Sequence, residues 1–144
     1  MRTWKVCLMA GILMLAVSAC AARSGSGASL PDTRWTLVSY GVPGSETPVI
    51  EDAPVTLEFG KDGQAGGSGG CNSYGGPYSV QGDTLSFGQI VSTLMACVGE
   101  GVGDQETRYF QALATTGRFE LAEDRLTIWY DNGQGVLSFV KAAQ

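Results

Sequence analysis

Between Gly66 and Cys97 the chain reads GGSGGCNSYGGPYSVQGDTLSFGQIVSTLMAC, and this stretch limits the possible folds more than any other. Glycines at 66, 67, 69 and 70 leave the backbone free to take positive φ or to lie against something bulky. Inside a strand, such glycines mark bulges, sharp bends or close backbone approach, as at the corners of small barrels. Tyr78 and Val80 then alternate, Gln81-Gly82-Asp83 supplies a turn, and Leu85 and Phe87 alternate on the return. That pattern is a β-hairpin with one apolar face.

The rest of the chain uses the same grammar. Arg34 to Tyr40 carries the β-branched and aromatic residues of a first strand. Residues 41–54 hold three of the five prolines and the pair Glu51-Asp52, and they read as a surface loop whose carboxylates are simply solvated. Val55, Leu57 and Phe59 face one way and Thr56 and Glu58 the other, before a turn at Lys61-Asp62-Gly63. Ile90 to Met95 is apolar but irregular and reads as a crossing to Cys97. Asp104 is expected to cap a helix from about Gln105 to Thr116, with Gly117 ending it. Phe110 and Leu113, with Glu106 and Tyr109, give that helix one narrow packing face, and Glu106 suits the positive end of its dipole. Phe119 and Leu121, then Leu126, Ile128 and Tyr130, then Leu137 and Phe139 alternate across two turns as a three-stranded meander. The expected fold is mainly β (α+β): an antiparallel sheet of about seven to eight strands curled into a small barrel, with one helix packed over an open end. Phe59, Phe87, Ile128 and Phe139 are enough to fill so small a barrel and leave no room for a lipid tail.

The N-terminus has a different character. Arg2 and Lys5 precede an apolar run from Val6 to Val17, too short to span a bilayer comfortably and followed by no stop-transfer pattern. It leads to Val17-Ser18-Ala19-Cys20, which resembles the lipobox of bacterial lipoproteins, where the cysteine becomes the lipidated first residue. The competing reading is an ordinary secretory signal in which Cys20 is incidental. Residues 1–19 are thus expected to be a lipoprotein signal peptide and 20–32 a glycine- and serine-rich tether, leaving a domain at 33–142. Membrane attachment would run through lipid on Cys20, and Ala21 after it leans towards the outer membrane, facing the periplasm. Loss of the leader takes away Arg2 and Lys5, so 7 Lys+Arg remain against 14 Asp+Glu, a formal charge of −7. Such a surface is poorly suited to nucleic acid or anionic lipid.

Histidine is absent from the whole chain, so Ser-His-Asp and Cys-His nucleophiles have no base and no histidine metal site exists. With Cys7 removed and Cys20 acylated, Cys71 and Cys97 are the remaining cysteines, too few for a cysteine-only zinc site. In an oxidising compartment they are expected to form a disulfide; the alternative is two separately buried thiols. Gly66 to Gly70 lacks the lysine and helix start of a phosphate-binding loop. No cofactor, metal or catalytic residue is expected.

Gly70-Cys71-Asn72-x-Tyr74, Gly82-x-x-Leu85-x-Phe87 and Ser92-Thr93-x-Met95-Ala96-Cys97 together resemble the signature of the META domain, the family of the heat-shock protein HslJ and of many small bacterial lipoproteins. The likeness runs upstream to Trp35-x-Leu37 and Val55-Thr56-Leu57-x-Phe59, and downstream through Glu106, Phe110, Leu113, Leu126 and Leu137-x-Phe139. It covers residues 33 to 140 and departs from the pattern at the glycine-rich Gly99–Gly103. The resemblance implies the same barrel, no defined reaction, and links to heat, drug and envelope stress. Asn72 is expected to tie a backbone bend through its amide; the other reading has Asn72, Tyr74, Ser92 and Thr93 lining a binding patch beside the cysteines. The expected function is therefore that of a lipid-anchored, non-enzymatic envelope protein that supports stress resistance by binding an envelope protein partner. The alternative is inhibition of a cationic lytic enzyme such as lysozyme, which the acidic charge would help to steer.

Overall fold

The computed structural model describes residues 29–143, so Cys20 and the leader lie outside the described residues. Eight antiparallel strands close a barrel: β1 (Thr33–Val42), β3 (Thr56–Phe59), β4 (Gln64–Ser68), β5 (Ser73–Gln81), β6 (Thr84–Phe87), β8 (Thr116–Leu121), β9 (Arg125–Tyr130) and β10 (Gly135–Lys141). Two short strands are added outside that ring, β2 (Ser45–Pro48) beside β1 and β7 (Val91–Ser92) beside β5. β10 pairs with β1 from Trp35↔Lys141 to Gly41↔Val136, which closes the circle and leaves the barrel proper without an edge. The weakest seam is β6 against β8, where Thr84↔Arg118 is the single register pair. A helix, α1 (Val102–Ala114), joins β7 to β8.

Period-2 alternation fills the interior. Trp35, Leu37, Leu57, Phe59, Leu85, Leu126, Ile128, Leu137 and Phe139 are all buried in one cluster. Phe87 sits at its margin, half-buried and stacked on Phe59 at 6.2 Å. Val80, paired with Leu85 across the hairpin, is exposed, so the apolar face of that hairpin is carried by Tyr78, Leu85 and Phe87.

Both ends of the barrel are stoppered. α1 closes the end where β5 begins and β9 finishes, burying Val102, Gln105, Glu106, Tyr109, Ala112 and Leu113 at steps of three and four. Leu30 plugs the other end: it is buried, its carbonyl accepts from Thr33 Oγ1, and Asp32 N–H donates to the Phe59 carbonyl at 2.7 Å. Leu30, three residues upstream of the boundary expected at residue 33, thus packs against the core.

Three local expectations are corrected. The 41–54 loop contains a strand, because Pro43-Gly44, with Gly44 at φ 83°, turns the chain so that Ser45–Pro48 pairs with the end of β1. Asp104 does not cap the helix; Gly101, at φ 77°, holds that position, and Asp104 lies in the first turn. Gly117 does not end it either. The helix stops at Ala114, and the β-branched Thr115-Thr116 leads directly into β8, where Gly117 lies. No helix among the described residues is long and apolar enough to cross a membrane.

Candidate functional site

The glycine-rich segment that opens β5 is where helix and barrel meet. A Cβ on Gly69 would lie 2.7 Å from Glu106 Oε2 and 2.8 Å from Phe110 Cζ. Gly70 sits at φ 104°, and a Cβ there would meet Gln105 Nε2 at 2.9 Å and the Ala53 carbonyl at 3.0 Å. These glycines let α1 rest directly on the backbone of the bend. The approach brings three polar side chains of the helix and bend together out of water, Asn72, Gln105 and Glu106, and all three are buried.

Each of the three is answered. Glu106 Oε2 accepts from the backbone N–H of Asn72 at 2.6 Å and of Cys71 at 3.2 Å. Its Oε1 accepts from Asn72 Nδ2 at 2.7 Å. The other side of the Asn72 amide, Oδ1, accepts from Thr93 Oγ1 at 2.8 Å and from the Met95 N–H at 2.7 Å. Asn72 thus bridges the helix to the loop after β7. Gln105 does the equivalent for the 49–55 segment, accepting from the Ile50 N–H at 2.8 Å and donating to the Ala53 carbonyl at 2.9 Å. Among the described residues no buried side-chain nitrogen or oxygen lacks a partner.

Cys71 and Cys97 are joined as a disulfide, with Cα atoms 5.6 Å apart and a separation of 26 positions in sequence. The bond lies against the same cluster, with Cys97 Sγ 3.7 Å from Glu106 Oε1. The two sulfurs and the Glu106 carboxylate fall within 4.8 Å of one another, a three-donor set for a metal only after reduction, since a disulfide offers no thiolate.

Tyr74 completes the junction one strand position inward. It is buried, its hydroxyl donates to the Thr56 carbonyl at 2.9 Å, and Tyr109 Oη therefore donates to it across 2.6 Å. Burial pushes both phenols well above their ordinary pKa, the closeness of each hydroxyl to the other adding to the effect at Tyr109. Neither ring is available as an acid or base near neutrality.

The residues singled out together in the sequence are thus brought together, but in two different settings. Asn72, Tyr74 and Thr93 point into the junction, Asn72 and Tyr74 from buried positions, and bond to one another's surroundings. Ser92 pairs with Tyr74 through the backbone of β7 and is exposed. The backbone N–H groups of the bend at Cys71 and Asn72 are held by Glu106, and the Asn72 amide ties the helix to the 93–95 loop rather than to the backbone of its own bend. Gln105 carries as much of the junction, and its role is invisible in pattern reading because a polar residue at a helical core position looks like an interruption; Tyr109 stands on the expected packing face and adds its hydrogen bond to Tyr74. Glu106 stood in the ordered motif series, but its partner is the Asn72 side chain and bend rather than the helix dipole alone.

This barrel, with its helix resting on a Gly-Cys-Asn bend, matches the META domain over residues 28–144. The chain belongs to the META domain family. Among solved structures it is similar to a protein from Burkholderia xenovorans determined by NMR, at 32% identity and a TM-score of 0.67, covering 80% of this chain and 85% of that one. A second protein determined by NMR is 21% identical with a TM-score of 0.60, covering 77% of this chain and 90% of the other. A DUF4847 family protein from Bacteroides vulgatus, 12% identical with a TM-score of 0.58 over 80% of this chain and 96% of its own, shares the fold. No curated protein matches the chain. In this META domain the motif residues Asn72, Tyr74, Thr93 and Glu106 form the helix–barrel junction.

Proposed function

We propose that this META domain works by binding, without catalysis, as a lipid-anchored envelope protein that supports survival under heat, drug or envelope stress. The observation that carries the reading is the closure of the junction. The polar atoms of Asn72, Gln105, Glu106, Tyr74 and Tyr109 are directed at one another and at backbone groups, so the family's most distinctive residues offer nothing to a substrate. With no histidine in the chain and both described cysteines oxidised, a hydroxyl nucleophile would lack its commonest general base, a factor of about 10²–10⁴ in rate. The proposed anchor is lipid on Cys20, motivated by the Val17-Ser18-Ala19-Cys20 motif, with the outer membrane as the proposed site. The proposed partner is an envelope protein; the acidic balance argues against nucleic acid.

A deletion strain complemented with the lipid-anchored chain tests this reading. Wild type should restore survival, and single amide replacements of exposed carboxylates should restore it equally, whereas Cys20→Ala should lose labelling by a palmitate analogue and lose rescue. A single exposed carboxylate whose amide abolished rescue in a folded protein would contradict the non-enzymatic reading. Inhibition of a cationic lytic enzyme is the second reading, favoured by a formal charge of −7 once residues 1–19 are removed, with 7 Lys+Arg against 14 Asp+Glu. A turbidity assay with lysozyme and the purified protein separates the two: undiminished lysis at excess protein rejects inhibition.

A further inference from the structure

The segment that the junction holds is itself an exposed apolar loop. Leu94 is 95% exposed and Val98 88%, with Val91 and Met95 at 63% and 60%. The Cys71–Cys97 bond fixes one side, and Asn72 Oδ1 takes the Met95 N–H at 2.7 Å on the other. A covalent bond and a buried amide thus hold apolar side chains in water, which is the arrangement of a preorganised contact surface.

Its rim is acidic. Glu100 follows two residues after Val98, and Asp104 stands in the first turn of α1. Glu51 and Asp52 are brought to the same helix end by the bonds from Gln105 to Ile50 and Ala53. All four carboxylates are exposed. From residue 41 to residue 107 the only basic side chain is Lys61, which is paired with Asp32 at the opposite end of the barrel. The loop also lies at the barrel end away from Leu30, where the chain enters.

We propose that the Val91–Val98 loop is a docking surface for a protein that presents an apolar face edged by lysine or arginine. Charge complementarity selects this occupant. A second copy would bring its own acidic rim into contact, and an anionic bilayer would be repelled in the same way. The inference rests on the binding reading above and adds to it the surface and the chemistry of the partner.

The test uses the full chain and, as probe, a fluorescent amphipathic helical peptide of leucine and lysine, with a leucine and glutamate peptide of equal length as counter-probe. The lysine peptide should bind and the glutamate peptide should not. Leu94→Ser with Val98→Ser should weaken binding about tenfold or more, since both side chains are at the surface and their loss leaves the core intact. Glu100→Gln with Asp104→Asn should weaken it several-fold and flatten its salt dependence. Val140→Ser, an exposed apolar change on β10, is the control and should leave it unchanged. Phosphatidylcholine vesicles should associate equally with wild type and the loop variant. The proposal is overturned by failure of the lysine peptide to bind at millimolar concentration, by unaltered binding in the loop variant, by loop-dependent vesicle binding, or by loop-dependent dimerisation in sedimentation. Absence of rescue in the deletion strain with intact peptide binding would instead count against the stress reading alone.

Discussion

A buried phenol is a sensitive reporter of a closed junction. Tyr74 and Tyr109 share a hydrogen bond in the core, and burial raises the pKa of both. Unfolded tyrosine ionises near pH 10, whereas these two stay protonated in the folded chain, so above that pH the unfolded state binds fewer protons than the native one. Stability is therefore full below about pH 10 and falls as the pH rises beyond it. Urea midpoints should be flat between pH 7 and 9 and decline by pH 11. In a spectrophotometric titration, two of the five tyrosines should ionise only together with unfolding. Smooth titration of all five in a protein that remains folded would show the junction to be open to water.

At the scale of elements, the disulfide and the glycine bend act on the same loop. Closing 26 residues contributes about 3.5 kcal/mol by restricting the unfolded chain. Cys71→Ala with Cys97→Ala should lower unfolding free energy by about 2–4 kcal/mol and speed amide exchange between residues 93 and 98, while β1 and β10 keep their protection. Uniform loss of protection would mean that the bond supports the whole barrel. The strands themselves were legible in the sequence wherever a buried face alternates, as with Leu57 and Phe59 or Leu126 and Ile128, because period 2 leaves a direct trace. The helix was legible in place but not at its ends, since the chain uses Gly101 in a left-handed conformation where a side-chain cap was expected. β2 was hidden because all four of its residues are exposed and carry no apolar pattern. The junction was half legible: Asn72 was recognisable by its place after a glycine pair, whereas Gln105 and Glu106 find their partners across 34 to 55 residues of sequence, a distance no local pattern encodes.

For the molecule as a whole, the motif residues maintain the fold, and the function proposed above lies on what the fold displays. The Asn72–Glu106 contact is where this division is sharpest, because a buried amide and carboxylate next to a disulfide would otherwise be a natural place for chemistry. The most direct measurement is a double-mutant cycle of urea unfolding with Asn72→Asp, Glu106→Gln and the two combined. Asn72→Asp sets two carboxylates against each other in the interior and should cost about 3 kcal/mol or more. Glu106→Gln turns a donor towards the Asn72 amide and should cost about 1–3 kcal/mol. Together they reverse the donor and acceptor across the same contact, leaving one charge, and a coupling of about 2 kcal/mol should make the combined variant more stable than Asn72→Asp alone. Additive losses, or single changes that leave stability intact, would contradict a structural lock and return these residues to candidacy for a reactive site.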